Sequence, residues 1–110
     1  MAKFENNGII EFDEKDFKAA WDNAPKLINK DENQFRMCFI CKFHMEFKDK
    51  LKGKMPWNIE IINLNNIELI NENFIAIHDG CKELRPKSNC TKIIKKIKSV
   101  SWKFDENFYK

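Results

Sequence analysis

The sequence predicts an α+β protein built on a small, strongly bent antiparallel sheet or barrel, with one N-terminal amphipathic helix and one short C-terminal helix. Three observations carry that prediction. Residues 35–47 alternate apolar and polar; several short strand-like runs recur at a spacing of roughly 8–12 residues; and two segments show helical periodicity.

The alternation is the strongest of these. Phe35, Met37, Phe39, Cys41, Phe43, Met45 and Phe47 fall on one side, and Arg36, Cys38, Ile40, Lys42, His44, Glu46 and Lys48 on the other. Successive side chains of a strand point to opposite faces, so the pattern predicts one long half-buried strand with Phe39 and Phe43 in the core and Lys42 in solvent.

The remaining elements follow in chain order. Phe4 to Phe12 reads as a hairpin turning at Asn6-Asn7-Gly8. Asp13 has the chemistry of an N-cap, and Phe17, Ala20, Trp21 and Ala24 then recur at i, i+3, i+4 and i+7, one apolar stripe of a helix that Pro25 ends. Leu27 and Ile28 extend it by a turn, and residues 29–34 form a polar loop. After the long strand, Lys48 to Lys54 is a basic turn. Trp57 to Leu64, Ile67 to Ile70 and Phe74 to Ile77 are β-like runs, the last stopped by Asp79-Gly80. Thr91 to Ser99 predicts a two-turn helix that buries Ile93, Ile94 and Ile97 and presents lysines, and Val100, Trp102 and Phe104 alternate as a final strand.

A chain of 110 residues, 43% hydrophobic and with 10 Phe, holds one domain, residues 1–110, and the material for a modest core. Met1-Ala2-Lys3-Phe4-Glu5 leads into polar residues rather than the apolar stretch of a signal peptide, and no run of about 18 apolar residues predicts a membrane span. The expected location is cytoplasmic, where the four cysteines are thiols rather than disulfides.

Charge is unevenly placed. Residues 1–34 carry 5 basic and 8 acidic side chains, residues 35–110 carry 15 and 9, and the whole chain is +3. Arg85, Lys87, Lys92, Lys95, Lys96, Lys98 and Lys103 follow one another with no acid among them. With Trp102 beside Lys103, they make the expected nucleic-acid-binding surface, since lysines track phosphates while an aromatic ring stacks a base. Trp57, after Lys54-Met55-Pro56, is a second stacking candidate.

The chemical motifs are weaker. Cys38-Phe39-Ile40-Cys41, with Cys81 and Cys90 downstream, suggests zinc, but residues three apart on a strand point to opposite faces, and Cys81-x8-Cys90 is loose for a second half-site. The expectation is therefore no metal and no cofactor. His44, Glu46 and Lys48 resemble half of a metal-dependent nuclease pattern, without the second acidic strand residue it needs. Cys41 and His44 are placed on opposite faces, His78 beside Asp79 has no nucleophile to serve, and the isolated Gly8, Gly53 and Gly80 form no phosphate loop. No enzyme is expected.

The C-terminal third carries a resemblance. Ile97-Lys98-Ser99-Val100 followed by Asp105-Glu106-Asn107-Phe108 resembles the closing segment of WYL-type domains, and Asp79-Gly80 before the basic loop is similarly placed. The naming Trp-Tyr-Leu tripeptide is absent. The resemblance implies an SH3- or Sm-like barrel used in ligand or nucleic-acid sensing.

The expected function is a small, non-enzymatic binding or regulatory protein that docks through its basic C-terminal half on nucleic acid or a nucleoprotein complex, a type that includes inhibitors carried by mobile elements. The alternative is a protein–protein interaction module working through a sheet edge or homodimer seam. Neither involves a membrane. The sequence leaves the identity of the partner and the oligomeric state open.

Overall fold

The structure, a computed structural model, describes residues 2–4 and 10–103. The turn residues Asn6-Asn7-Gly8, Phe104 and the segment 105–108 lie outside the described residues.

The fold is α+β, with three separate two-stranded antiparallel sheets and no closed barrel among the described residues. β1 (Lys3–Phe4) pairs with β2 (Ile10–Glu11), as expected for the first hairpin. α1 (Glu14–Asn23) follows. Its start is set by a reciprocal capping box: Asp16 N–H donates to Asp13 Oδ1 at 3.0 Å and Asp13 N–H to Asp16 Oδ2 at 2.9 Å. Pro25 stops it, and Ala24 is already extended. The apolar stripe of Phe17, Ala20 and Trp21 is buried as predicted, whereas Ile28 is exposed because the chain has left the helix.

β5 (Trp57–Ile61) pairs with β6 (Phe74–His78), with Trp57 opposite His78 and Ile61 opposite Phe74. All five residues of β6 are buried. Against this sheet the helix packs an aromatic cluster in which the ring centroids of Trp21 and Trp57 lie 5.1 Å apart, Trp21 and Phe47 5.2 Å, and Phe47 and Trp57 5.6 Å. Each indole N–H that the cluster buries finds a backbone oxygen, Trp21 at Glu32 and Trp57 at Phe47. Trp57 is thus a core residue and not a stacking platform.

The long strand is not one strand. β3 (Phe35–Met37) and β4 (His44–Glu46) are the arms of a short hairpin, paired Phe35 to Glu46, Arg36 to Met45 and Met37 to His44. Between them residues 38–43 turn: Lys42 N–H donates to Cys38 O, Cys38 N–H donates to Phe43 O, and Lys42 takes a positive φ of 62°. The alternation survives in a hairpin because the loop folds Phe39 back into the core, where it is 2% exposed. Arg36, placed by alternation on the polar face, is buried instead and donates to the carbonyls of Glu32, Asp22 and Ala24.

Two further expectations are corrected. Residues 67–70 form no strand; Ile67 and Ile70 are exposed, and Asn63 and Asn73 shape this region through side-chain-to-backbone bonds that compete with sheet pairing. Val100 to Lys103 makes only an isolated bridge, Leu27 to Trp102, rather than a strand. The C-terminal helix is present as α2 (Thr91–Lys98), which buries Ile94, half-buries Ile97 and leaves Ile93 exposed. No helix among the described residues is long and apolar enough to cross a membrane.

The hairpin assignment makes a testable statement. Phe39→Ala should destabilise by about 3–5 kcal/mol, while Lys42→Gly should be neutral or stabilising, since glycine has no steric cost at that φ. Chemical denaturation of the two variants checks both; a loss of more than about 1 kcal/mol at Lys42→Gly would favour an extended strand.

Candidate metal centre

The turn between β3 and β4 places Cys38 and Cys41 on the same side of the chain, against the end of β6. There β6 finishes in His78 and enters a 3-10 turn, Asp79–Leu84, that carries Cys81. The four ligand atoms of Cys38, Cys41, His78 and Cys81 all lie within 4.8 Å of one another. A tetrahedral zinc with bonds of about 2.0–2.3 Å holds its ligand atoms roughly 3.5–3.8 Å apart, so a small contraction closes this set on an ion. The argument that Cys38 and Cys41 face apart fails because they sit in a turn and not on a pleat.

The histidine is aimed. His78 Nε2–H donates to the His44 carbonyl at 2.9 Å, which leaves the Nδ1 lone pair facing the thiols, 3.2 Å from Cys41 Sγ. A backbone carbonyl that fixes the tautomer and ring plane of a ligating imidazole is the usual outer partner of a zinc histidine. The bond also ties the β3–β4 hairpin to the β5–β6 sheet.

The thiols share protons unevenly. Cys38 is pulled well below the usual thiol range, chiefly because the Cys41 thiol donates to its sulfur, which outweighs burial. Cys41 is pushed up by that same bond and by burial, and Cys81 is pushed up by burial and by the neighbouring Cys38 charge. Three soft sulfurs and one imidazole, arranged this way, suit zinc and no hard cation. Cys38 and Cys81 are buried and Cys41 exposed, its edge opening on a groove of 370 Å³ floored by Phe43, Met55 and Pro56.

Cys90 is not a member. It is buried at the foot of α2, where its sulfur accepts from Arg85 Nη2 at 3.1 Å. The second half-site is His78-Asp79-Gly80-Cys81, a His-x-x-Cys that repeats the spacing of Cys38-x-x-Cys41. That echo was the available signal, hidden by pairing Cys81 with the wrong downstream partner and by reading His78 with Asp79. The nuclease-like residues give nothing comparable: Glu46 and Lys48 pair with each other at 3.3 Å, and the His44 carbonyl serves His78.

The basic segment is divided rather than gathered. Arg85 is 3% exposed and its guanidinium collects the carbonyls of Ile61, Ile62, Pro86 and Ser88, with Glu60 at 4.0 Å; it clamps the end of β5 to the α2 approach and is withdrawn from any phosphate. Lys87 is exposed but reaches Lys82 O and Glu83. Lys92, Lys95 and Lys96 are exposed and share the outer face of α2, while Lys98 turns to the end of α1 and donates to Asn23 O at 3.2 Å. Trp102 is half-buried, its Nε1–H on Ile97 O, and Lys103 is exposed.

Comparison with family models, with curated proteins and with solved structures finds no match.

Two of the three thiols are held protonated in the absence of an ion, so metal must displace protons. Zinc affinity should therefore rise roughly tenfold to hundredfold per pH unit between pH 6 and 8, falling in the acid direction as protons win back Cys41 and Cys81. Competition with a chromophoric chelator measures it, and a pH-independent affinity would mean these thiols are not the ligands.

Proposed function

We propose that this chain is a non-enzymatic binding module whose fold is closed by a structural zinc at Cys38, Cys41, His78 and Cys81, and whose lysine-rich α2 docks on a polyanion, a nucleic acid or a nucleoprotein complex. The observation that carries the first half is the convergence of four soft ligand atoms from two segments 37 residues apart at their nearest, with His78 already oriented by His44 O. Four protein ligands fill a tetrahedral ion and leave no position for a substrate or reactive water, which supports a structural role. The second half rests on Lys92, Lys95 and Lys96 on one outward helix face, within a chain of net charge +3. A protein partner is the second reading, favoured by the apolar groove beside Cys41, where Met55 is 42% exposed.

Protein purified without chelator should carry close to one zinc per chain by elemental analysis. Cys38→Ser should lose both the metal and the cooperative unfolding transition. Protein free of metal that unfolds as cooperatively as before would defeat the structural-zinc reading.

For the polyanion, Lys95→Glu with Lys96→Glu should weaken nucleic-acid binding by about 1–3 kcal/mol and flatten its salt dependence. The matched pair Lys15→Glu and Lys52→Glu, both exposed and outside α2 and its neighbouring groove, should leave it nearly intact. Equal effects of both pairs, or no binding by the wild type at low salt, would hand the lead to the protein partner.

A further inference from the structure

Beside α2 lies a groove of 350 Å³ that the sequence does not announce. Its walls come from three places: the C-terminal end of α1, the start of β3, and the segment after α2. They bring together Lys26, Arg36 and Lys98 with the ring of Trp102, and one acid, Asp22. Lys26 and Lys98 are exposed here, whereas Arg36 is 3% exposed, so the concavity offers two ammonium groups beside a buried guanidinium. Lys98 registers their proximity: it is held below its ordinary value by burial, then by the charges of Arg36 and Lys26.

Two carboxylates offset part of this charge: Asp22 is engaged by Lys18 at 2.7 Å and lies 3.9 Å from Arg36 Nη2, and Glu32 lies 3.0 Å from Lys26. Lys98 has no carboxylate among the ion pairs of the described residues. The cationic groups are also held in place in advance. The Arg36 guanidinium is fixed by three backbone carbonyls, and Lys98 by Asn23 O. The indole N–H is held on Ile97 O at 2.8 Å, and the Trp102 backbone is held by Ile28 N–H on its carbonyl at 2.9 Å. Exposed lysines next to a fixed aromatic ring are the pairing that single-stranded nucleic acid uses, phosphate on the ammonium groups and base on the ring.

We propose that this groove seats one nucleotide unit of a single-stranded nucleic acid, its phosphate between the exposed ammonium groups of Lys26 and Lys98 and its base on Trp102. The inference rests on the polyanion reading of α2 and makes it specific. The outer lysines supply long-range attraction, and the groove selects an unpaired base, because a duplex cannot offer a base face to a ring set in a concavity.

The test uses the zinc-loaded full chain and a short oligothymidylate, with a duplex of the same length as the second arm. Lys98 and Arg36 hold the end of α1, so the informative variants are Lys26→Gln, whose ammonium is exposed, and Trp102→Leu against Trp102→Phe. The single strand should bind more tightly than the duplex, and its titration should shift the Trp102 indole N–H resonance of the wild type, a readout that needs no variant. Lys26→Gln and Trp102→Leu should each weaken the single strand by about tenfold, with Trp102→Phe restoring most of the loss. If Lys95→Glu with Lys96→Glu weakens binding while the groove variants and the indole signal stay unchanged, the groove proposal is overturned and the polyanion reading stands. If neither strand form binds wild type, both fall. Inorganic phosphate competing without an indole shift would make the groove a bare anion site and overturn the base-stacking claim.

Discussion

The bond from His78 Nε2–H to the His44 carbonyl, with four ligand atoms converging beside it, is the constraint on which the architecture depends. Among the described residues none of the three sheets exceeds two strands, and an isolated two-stranded ribbon is marginal in water. Such ribbons persist when something outside the ladder fixes their relative positions. Here the β3–β4 turn and the end of β6 share one set of converging ligand atoms and the His78–His44 bond, so hairpin and sheet are joined through side chains rather than by a continuous ladder. The aromatic cluster of Trp21, Phe47 and Trp57 fills the space that this junction encloses.

Two buried arginines extend the same logic to the loops. Arg36 gathers three carbonyls around the end of α1, and Arg85 gathers four around the end of β5. A guanidinium has five N–H donors in a rigid fork, so it satisfies several backbone oxygens that an irregular segment would otherwise bury without donors. In a chain with short strands and long connections, that is how loops become part of the core. It also removes Arg85 from the surface where charge alone had placed it.

These particulars explain what the sequence could and could not disclose. The capping box at Asp13 and Asp16, the stop at Pro25 and the register of α2 are local, and local chemistry announces them. The run from Phe35 to Phe47 misled because period-two alternation is equally the signature of a hairpin whose turn returns Phe39 to the core; the Cys-x-x-Cys spacing within it coincides with that turn. Charge counting grouped Arg85 with Lys95, although a carbonyl-rich bend beside an arginine is invisible in composition. The cation groove could not be found from one dimension at all, since Lys26, Arg36 and Lys98 meet only after α1 and α2 are placed.

The separation of labour among the cysteines and cations has a physical rationale. A structural ion works best where its ligands are mostly buried, and three of the four here are, which limits exchange with solvent. A nucleic-acid surface needs the opposite, charges that remain hydrated until counter-ions are exchanged for phosphates. Lys92, Lys95 and Lys96 are exposed on the outer face of α2, as the proposed docking requires, while Lys98, one flank further round the same helix and also exposed, reaches Asn23 O at the end of α1. One short helix therefore offers both an attractive outer stripe and one wall of a concave seat. The segment beyond it, carrying Trp102 back to Leu27, is what turns that flank into a groove rather than a bare face.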